Sequence, residues 1–221
     1  MADNGSLTAE LRCVPPIGLG TRMLLEAVGA CCPDTPPIIA GGFLRDRVFG
    51  MTASDIDIFV GPDFDASMFE ATNEVIIREL SISDNRHHEY MEGPTGGFID
   101  IIYTMDMDST DIPWPVQIIK TKKPMSPHEH MARFDWDICR FWTDGLFFHG
   151  PRNLKEIQDT KAATLRPDLD YSGAIVSTER ARRWQRNNGY YAWEFRDSTG
   201  RLILPAHKTS SLKHNVFEEH P

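Results

Sequence analysis

Apolar and polar positions follow a helical period at the start of the chain and a strand period in its middle. In "TRMLLEAVGACC", Met23, Leu24, Ala27, Val28 and Cys31 fall on one face of a helix that Pro33 stops. "PIIAGG" is a short apolar run closed by two glycines, which predicts a buried strand ending in a tight turn. "FLRDRVFG" follows as a short helix with Gly50 as its C-terminal cap, and "SDIDIFVG" alternates as a second strand. Asp65 is a good N-cap for "DASMFEATNEVIIREL", where Met68, Ala71, Val75 and Ile76 share a side and predict a helix of several turns.

From about residue 87 the period changes. "GGFIDIIYTM", "PVQIIKTK" and "RFDWDICRFW" are β-rich, and "TDG" ahead of "LFFHG" predicts a hairpin, so antiparallel pairing is expected. "NLKEIQDTKAATLR" then sets Asn153 and Glu156 in a capping-box arrangement and Leu154, Ile157 and Leu165 on a helical stripe. "STERARRWQRNNG" predicts a last helix, begun by Ser177 or Thr178 and ended near Gly189. The change near 151 marks residues 1–150 as a core and 151–221 as a small helical region closing over it.

Composition narrows the class. Apolar content of 41% and charged content of 25% are ordinary for a folded globular chain. The N-terminus has no basic start followed by an apolar run, and no stretch approaches the roughly 18 apolar residues of a membrane helix, so a cytoplasmic protein with no membrane partner is expected. Cys13, Cys31, Cys32 and Cys139 lack metal spacing; adjacent Cys31 and Cys32 read as reduced, buried packing residues.

Net charge of −9 argues against a protein that holds long nucleic acid mainly by charge. Acidic residues crowd "DIDIFVGPDFD" and "YTMDMDSTD", whereas Arg180, Arg182, Arg183 and Arg186 gather on the last helix. Trp184 lies among them, and Tyr190, Tyr191, Trp193 and Phe195 follow. Such a set serves either phosphate and base contacts or a solvated helix packed on the core by Trp184. Lys120 and Lys122 are further phosphate candidates. His128 and His130 match no tetrahedral zinc pattern and read as solvated loop histidines, as do His87 and His88.

Asp55 and Asp57 interrupt an otherwise apolar strand. Alternate strand side chains share a face, so the two carboxylates point together while Ile56 and Ile58 point into the core. Carboxylates that close repel unless a cation joins them, and hard oxygen ligands suit Mg²⁺. The diglycine Gly41-Gly42 permits close approach of backbone to an anion, and Arg45, one turn on, adds a charged fork.

Gly41-Gly42, Arg45-Asp46 and Asp55-Ile56-Asp57 together resemble the nucleotidyltransferase superfamily of DNA polymerase β, poly(A) polymerases and CCA-adding enzymes. A lone Asp-x-Asp also occurs at solvated strand edges, in calcium loops and in manganese-dependent glycosyltransferases; the Gly-Gly-x-x-Arg-Asp before it favours the first resemblance. The likeness is close over residues 38–60 and loose over 115–140, and is nearest to small bacteriophage-type members.

The resemblance implies an α/β fold with a mixed sheet flanked by helices. It implies nucleoside triphosphate binding by Gly41, Gly42, Arg45, Asp46, Arg180 and Arg183, and two Mg²⁺ (or Mn²⁺) ions on Asp55, Asp57 and a third carboxylate. Asp135 is the first choice for the third, because "PVQIIKTK" followed by "ARFDWDICRF" is similar to the poly(A) polymerase layout; Asp137, on the same expected strand face, and Asp100, in "FIDIIYT", are the rivals. Asp46 either touches substrate or pairs with Arg45 or Arg47. The implied activity moves a nucleoside monophosphate from the triphosphate to a hydroxyl of RNA, tRNA included, releasing pyrophosphate. A protein or small-molecule acceptor is the second expectation, and a non-catalytic nucleotide- or partner-binding module the third.

Overall fold

The computed structural model describes residues 7–11, 16–80, 97–105 and 110–207. The first half runs β1 (Thr8–Glu10), α1 (Leu19–Gly29), β2 (Ile38–Ala40), α2 (Gly42–Val48), β3 (Ile56–Val60), α3 (Ala66–Asn73), β4 (Arg78–Glu79), β5 (Ile99–Met105) and β6 (Val116–Thr121). It continues with α4 (Pro127–Arg133), a 3₁₀ turn at Asp137–Cys139, β7 (Trp142–Thr143), β8 (Phe148–Pro151), α5 (Leu154–Thr160), β9 (Ala162–Thr164), α6 (Tyr171–Asn187), a 3₁₀ turn at Tyr190–Ala192, β10 (Glu194–Arg196) and β11 (Leu202–Leu204).

Eight strands form one mixed sheet in the order β1-β8-β7-β2-β3-β6-β5-β4. Within it β3 and β6 are parallel, with Asp57 opposite Gln117, and the other pairs are antiparallel. The expected α/β fold with a helix-flanked mixed sheet is therefore observed. Its two faces are both apolar, as the continuous runs of β2, β3 and β6 require. Ile39, Ile56, Ile58 and Ile118 face a core shared with Leu24, Val28 and Phe43 of α1 and α2. Ile38, Phe59 and Ile119 face a second, shared with Phe98 and Met131 of α4.

The C-terminal region is not helical alone. A three-stranded sheet, β11-β10-β9, lies with α5 and α6 around a third core of Trp184, Tyr190, Trp193 and Phe195, to which Trp136 and Ile138 also belong.

Several local expectations are corrected. On α1 the buried face is Thr21, Leu24, Leu25 and Val28, and Met23 is exposed. Helix α3 is capped by Asp65 as expected, its side chain accepting from the Met68 N–H at 2.9 Å. It stops at Asn73, where the Asn73 amide donates to the Phe69 carbonyl at 2.9 Å and Glu74 turns left-handed (φ 53°). Phe69 is its buried residue, while Met68 and Ile76 are exposed.

The largest correction concerns "RFDWDICRFW", which is not a strand. Ser126 and Glu129 form a reciprocal capping box ahead of Pro127, so a helix starts there and runs through Arg133. Only Trp142–Thr143 is extended, as one arm of the expected hairpin with β8. Asn153 forms no capping box; its amide donates to Asp137 Oδ2 at 3.4 Å. Helix α6 starts at Tyr171, before Ser177, because Asp170 accepts from the Gly173 N–H at 2.7 Å. Cys31 and Cys32 are free and buried, as expected, Cys139 is also free and buried, and Cys13, His87 and His88 lie outside the described residues. Among the described residues no helix is long and apolar enough to cross a membrane.

Candidate active site

Strand alternation sends Asp55, Asp57 and Phe59 to the sheet face opposite Ile56 and Ile58, where a cleft of about 440 Å³ opens. Both carboxylates line it, half-buried. Asp55 lies one residue ahead of β3; its Oδ1 accepts from the Ser54 hydroxyl at 2.8 Å and its Oδ2 from the Gln117 amide at 3.4 Å. Gln117 sits on β6 in register with Asp57, so the parallel pair brings that donor to the carboxylates.

The glycine bend closes the other side. Gly41 ends β2 at φ 89°, a left-handed conformation that costs a residue with a Cβ about 1–2 kcal/mol, and a Cβ there would meet the Phe134 ring at 3.0 Å. Its N–H donates to the Phe141 carbonyl at 3.0 Å, so Gly41 shapes the bend, while Gly42, the first residue of α2, borders the cleft.

Arg45 joins this bend to α6. Its Nε donates to Asp46 Oδ1 at 2.7 Å and to the Tyr190 hydroxyl oxygen at 3.0 Å, and the Tyr190 O–H donates to the same Asp46 oxygen at 2.7 Å. The guanidinium lies 4.0 Å from the Trp184 ring centre, and its Nη1 donates to the Cys139 sulfur at 3.4 Å. Arg45 is 3% exposed, yet it borders the cleft. Burial disfavours its charge, but Asp46, Cys139 and Tyr190 together outweigh that and keep its pKa above the ordinary value. Burial pushes the Tyr190 hydroxyl up, and the Cys139 thiol up to about 12, so both stay protonated at neutral pH. Asp46 is thereby spent on Arg45 and Tyr190 and does not line the cleft.

Arg180, Arg183 and Trp184 of α6 form the far wall with Asn187 and Asn188. The Asn188 amide donates to the Thr52 carbonyl at 3.4 Å, which ties the end of α6 to the approach to β3. Trp184 packs the helix on the core while also lining the cleft; Tyr190, Trp193 and Phe195 are buried core residues. Lys120 and Lys122 donate to the carbonyls of Phe64 and Gly97 instead of facing the cleft.

Asp135 does not line the cleft with Asp55 and Asp57. It is fully buried off the cleft; Oδ1 accepts from the Trp136 N–H at 3.0 Å and Oδ2 from Arg180 Nη1 at 2.9 Å. Both oxygens are therefore engaged by protein donors, and the residue holds Arg180 against the cleft wall. Asp137 is buried as well; burial raises its pKa against the opposing Thr164 N–H and Asn153 amide. Asp100 is exposed at a bulge of β5 between Ile99 and Ile101. Among the described residues no group of three His, Cys, Asp or Glu side chains is arranged to hold a metal ion. Of the carboxylates expected as ligands, Asp55 and Asp57 line the cleft, and Asp135, Asp137 and Asp100 do not.

The cleft also contains residues that sequence reasoning missed: Ser54, Phe59, Phe98, His130, Arg133 and Phe134. Phe59 was readable from its parity with Asp55 and Asp57. His130 is buried, not solvated, and burial lowers its pKa to about 4; His128 is exposed.

By sequence the chain matches no protein-family model and no curated protein. By structure it is similar to solved CCA-adding enzymes. One apo form superposes with a TM-score of 0.58 at 14% identity, covering 87% of this chain and 44% of that one. A complex with CTP gives 0.58 at 13% identity, over 88% and 45%. The Thermotoga maritima CCA-adding enzyme in complex with tRNA gives 0.55 at 16% identity, over 88% and 44%. The chain spans less than half the length of these enzymes, and at such identities what it shares with them is the nucleotidyltransferase fold.

Proposed function

We propose that this chain transfers a nucleoside monophosphate from a nucleoside triphosphate to a hydroxyl of RNA, tRNA included, and releases pyrophosphate. One observation carries the proposal: two half-exposed carboxylates from alternate positions of one extended segment share a cleft with a buried, permanently charged Arg45 beside Gly42. The CTP and tRNA complexes of the structurally similar enzymes support the choice of substrates.

Asp55 and Asp57 offer hard oxygen donors at the edge of a cleft wide enough for water and phosphate, which fits Mg²⁺ with its preference for one or two protein carboxylates. Bound there, a divalent cation would supply Lewis-acid neutralisation of phosphate charge. The chain's own residues do the rest. Arg45, fixed by Asp46, Tyr190 and Trp184, and Arg180, fixed by Asp135, present cations that need no reorganisation as charge grows on the leaving pyrophosphate. Arg183 adds a further cation at the rim, and Gly42 leaves room for the triphosphate. The acceptor oxygen forms a bond to the α-phosphorus, the bond from that phosphorus to the β-bridging oxygen breaks, and the acceptor proton passes to an aspartate carboxylate and on to water.

A protein hydroxyl is the second acceptor, favoured by the net charge of −9. The test incubates the protein with Mg²⁺ and each labelled nucleoside triphosphate, offering RNA and whole-cell protein. Label in RNA, lost in the Asp55→Asn, Asp57→Asn double variant, is expected. Label in protein selects the second acceptor, and nucleotide binding without pyrophosphate release removes the enzymatic reading.

A further inference from the structure

The cleft does not end at the carboxylates. Beyond Asp57 the same face of β3 leads to Phe59, whose ring centre lies 5.0 Å from that of His130. Phe98 lies 6.1 Å from His130, and the Arg133 guanidinium stands 4.7 Å above the Phe98 ring. Phe134 separates this end from the glycine bend, touching Gly41 on one side and standing 6.1 Å from Phe59 on the other. The two ends of the cleft therefore differ in chemistry. One holds Arg45, Arg180 and Arg183, a density of cations suited to a triphosphate; the other holds three aromatic rings and a single cation.

His130 sharpens this difference. It is 5% exposed, it borders the cleft, and its Nδ1 has no hydrogen-bond partner. A buried polar nitrogen left unpaired costs about 1–3 kcal/mol. With its ring kept neutral by burial, His130 adds an uncharged planar group to the wall that Phe59 and Phe98 form. Aromatic walls of this kind take nucleic-acid bases by stacking, and an arginine at the rim takes the neighbouring phosphodiester.

We propose that Phe59, Phe98, Ile99 and His130, under Arg133, form the subsite for the terminal nucleoside of a single-stranded RNA acceptor. The base rests in the aromatic pocket against His130, and Arg133 holds the last phosphodiester. This places the terminal ribose hydroxyls on the side of Asp57, opposite the triphosphate. The inference rests on the transfer reaction proposed above.

The test uses the full chain and a short single-stranded RNA ending in 2-aminopurine, without nucleoside triphosphate. Quenching of the terminal fluorophore on binding is expected, with much less quenching when the fluorophore sits several nucleotides inward. In the transfer assay an RNA with an abasic 3′ end should show a KM raised about tenfold or more, the value of one stacked base, at unchanged KM for the nucleoside triphosphate. Phe98→Leu and His130→Gln should raise the RNA KM alone. A terminal fluorophore that stays bright on bound RNA, equal KM for abasic and normal ends, or no RNA binding at all would overturn the subsite. Transfer that persists with any of those results leaves the proposed reaction standing while removing this pocket from it. Loss of all transfer with terminal quenching intact does the reverse.

Discussion

Two of the chain's Asp-x-Asp pairs, Asp55/Asp57 and Asp135/Asp137, have opposite fates. Asp55 and Asp57 lie half-buried on the cleft, approached by Ser54 and Gln117. Asp135 and Asp137 lie in the interior, each with its own donors: Arg180 and the Trp136 N–H for one, the Thr164 N–H and the Asn153 amide for the other. The first pair sits on extended chain, where alternate residues point together. The second straddles the entry to a 3₁₀ turn, where they do not. Spacing alone therefore does not assign a carboxylate to chemistry; backbone conformation and the donors it meets do.

That contrast predicts which pair serves activity and which serves stability. The largest effect is loss of transfer, on the order of 10³-fold or more, for Asp55→Asn with Asp57→Asn, because the pair would no longer hold the divalent cation that neutralises phosphate charge. Urea denaturation of that variant should move by only about 1 kcal/mol, as for other half-exposed polar changes. Asp135→Ala should do the opposite first. It removes a fully buried carboxylate that accepts from the Trp136 N–H and from Arg180, and should cost about 1–3 kcal/mol of stability. A fully stable Asp135→Ala protein devoid of transfer would break the comparison and return Asp135 to the ion's ligands.

The same contrast explains what the sequence made legible. Residues 38–60 encode their geometry locally: the glycine at φ 89° has no alternative residue type, and the apolar alternation of β3 fixes which side its aspartates take. Residues 127–142 do not. The β-rich run 133–142 gave way to a 3₁₀ turn at Asp137–Cys139 behind a capped helix, and the fate of Asp135 was decided by Arg180 on a distant helix. Helix α3 was likewise cut short by contacts beyond any periodicity, with the Glu70 carboxylate accepting from the Ile77 N–H at 3.0 Å. Tyr190 and Trp193, plausible as base-stacking residues in the sequence, are drawn into the core that Trp136 shares with α6. Local turn chemistry survives translation from sequence to structure; partner choice across the fold does not.

The second segment should also reveal itself through pH. His130 of α4 has its pKa lowered to about 4 by burial, with Arg133 assisting and Glu129 opposing. The unfolded chain takes up its proton near pH 6.5 while the folded one does not until about 4, so stability is fully present above 6.5 and falls as pH drops through that window. The loss should reach about 3 kcal/mol below pH 4, at 1.36 kcal/mol per unit. His130→Gln should flatten that part of the profile in urea titrations at pH 7 and pH 4.5. An unchanged slope would mean that the ring is solvated and that the segment is less buried than the cleft carboxylates' own surroundings.

The smallest effect tests why the two segments differ at all. If the capping box starts the helix at residues 127–133, then Ser126→Ala, which deletes the acceptor for the Glu129 N–H and the hydroxyl that donates to the Glu129 carboxylate, should cost about 1 kcal/mol. The Ser126 N–H holds Glu129 below the usual carboxylate pKa, so acidification should weaken the wild-type cap as that carboxylate is protonated and leave Ser126→Ala less affected. Ser126→Asp, which keeps an acceptor at the N-cap, should recover most of the lost stability at neutral pH. Should all three proteins unfold at the same urea concentration, the helix owes its place to Met131 and His130 packing beneath it, and burial rather than capping would be what turned the second aspartate pair away from the cleft.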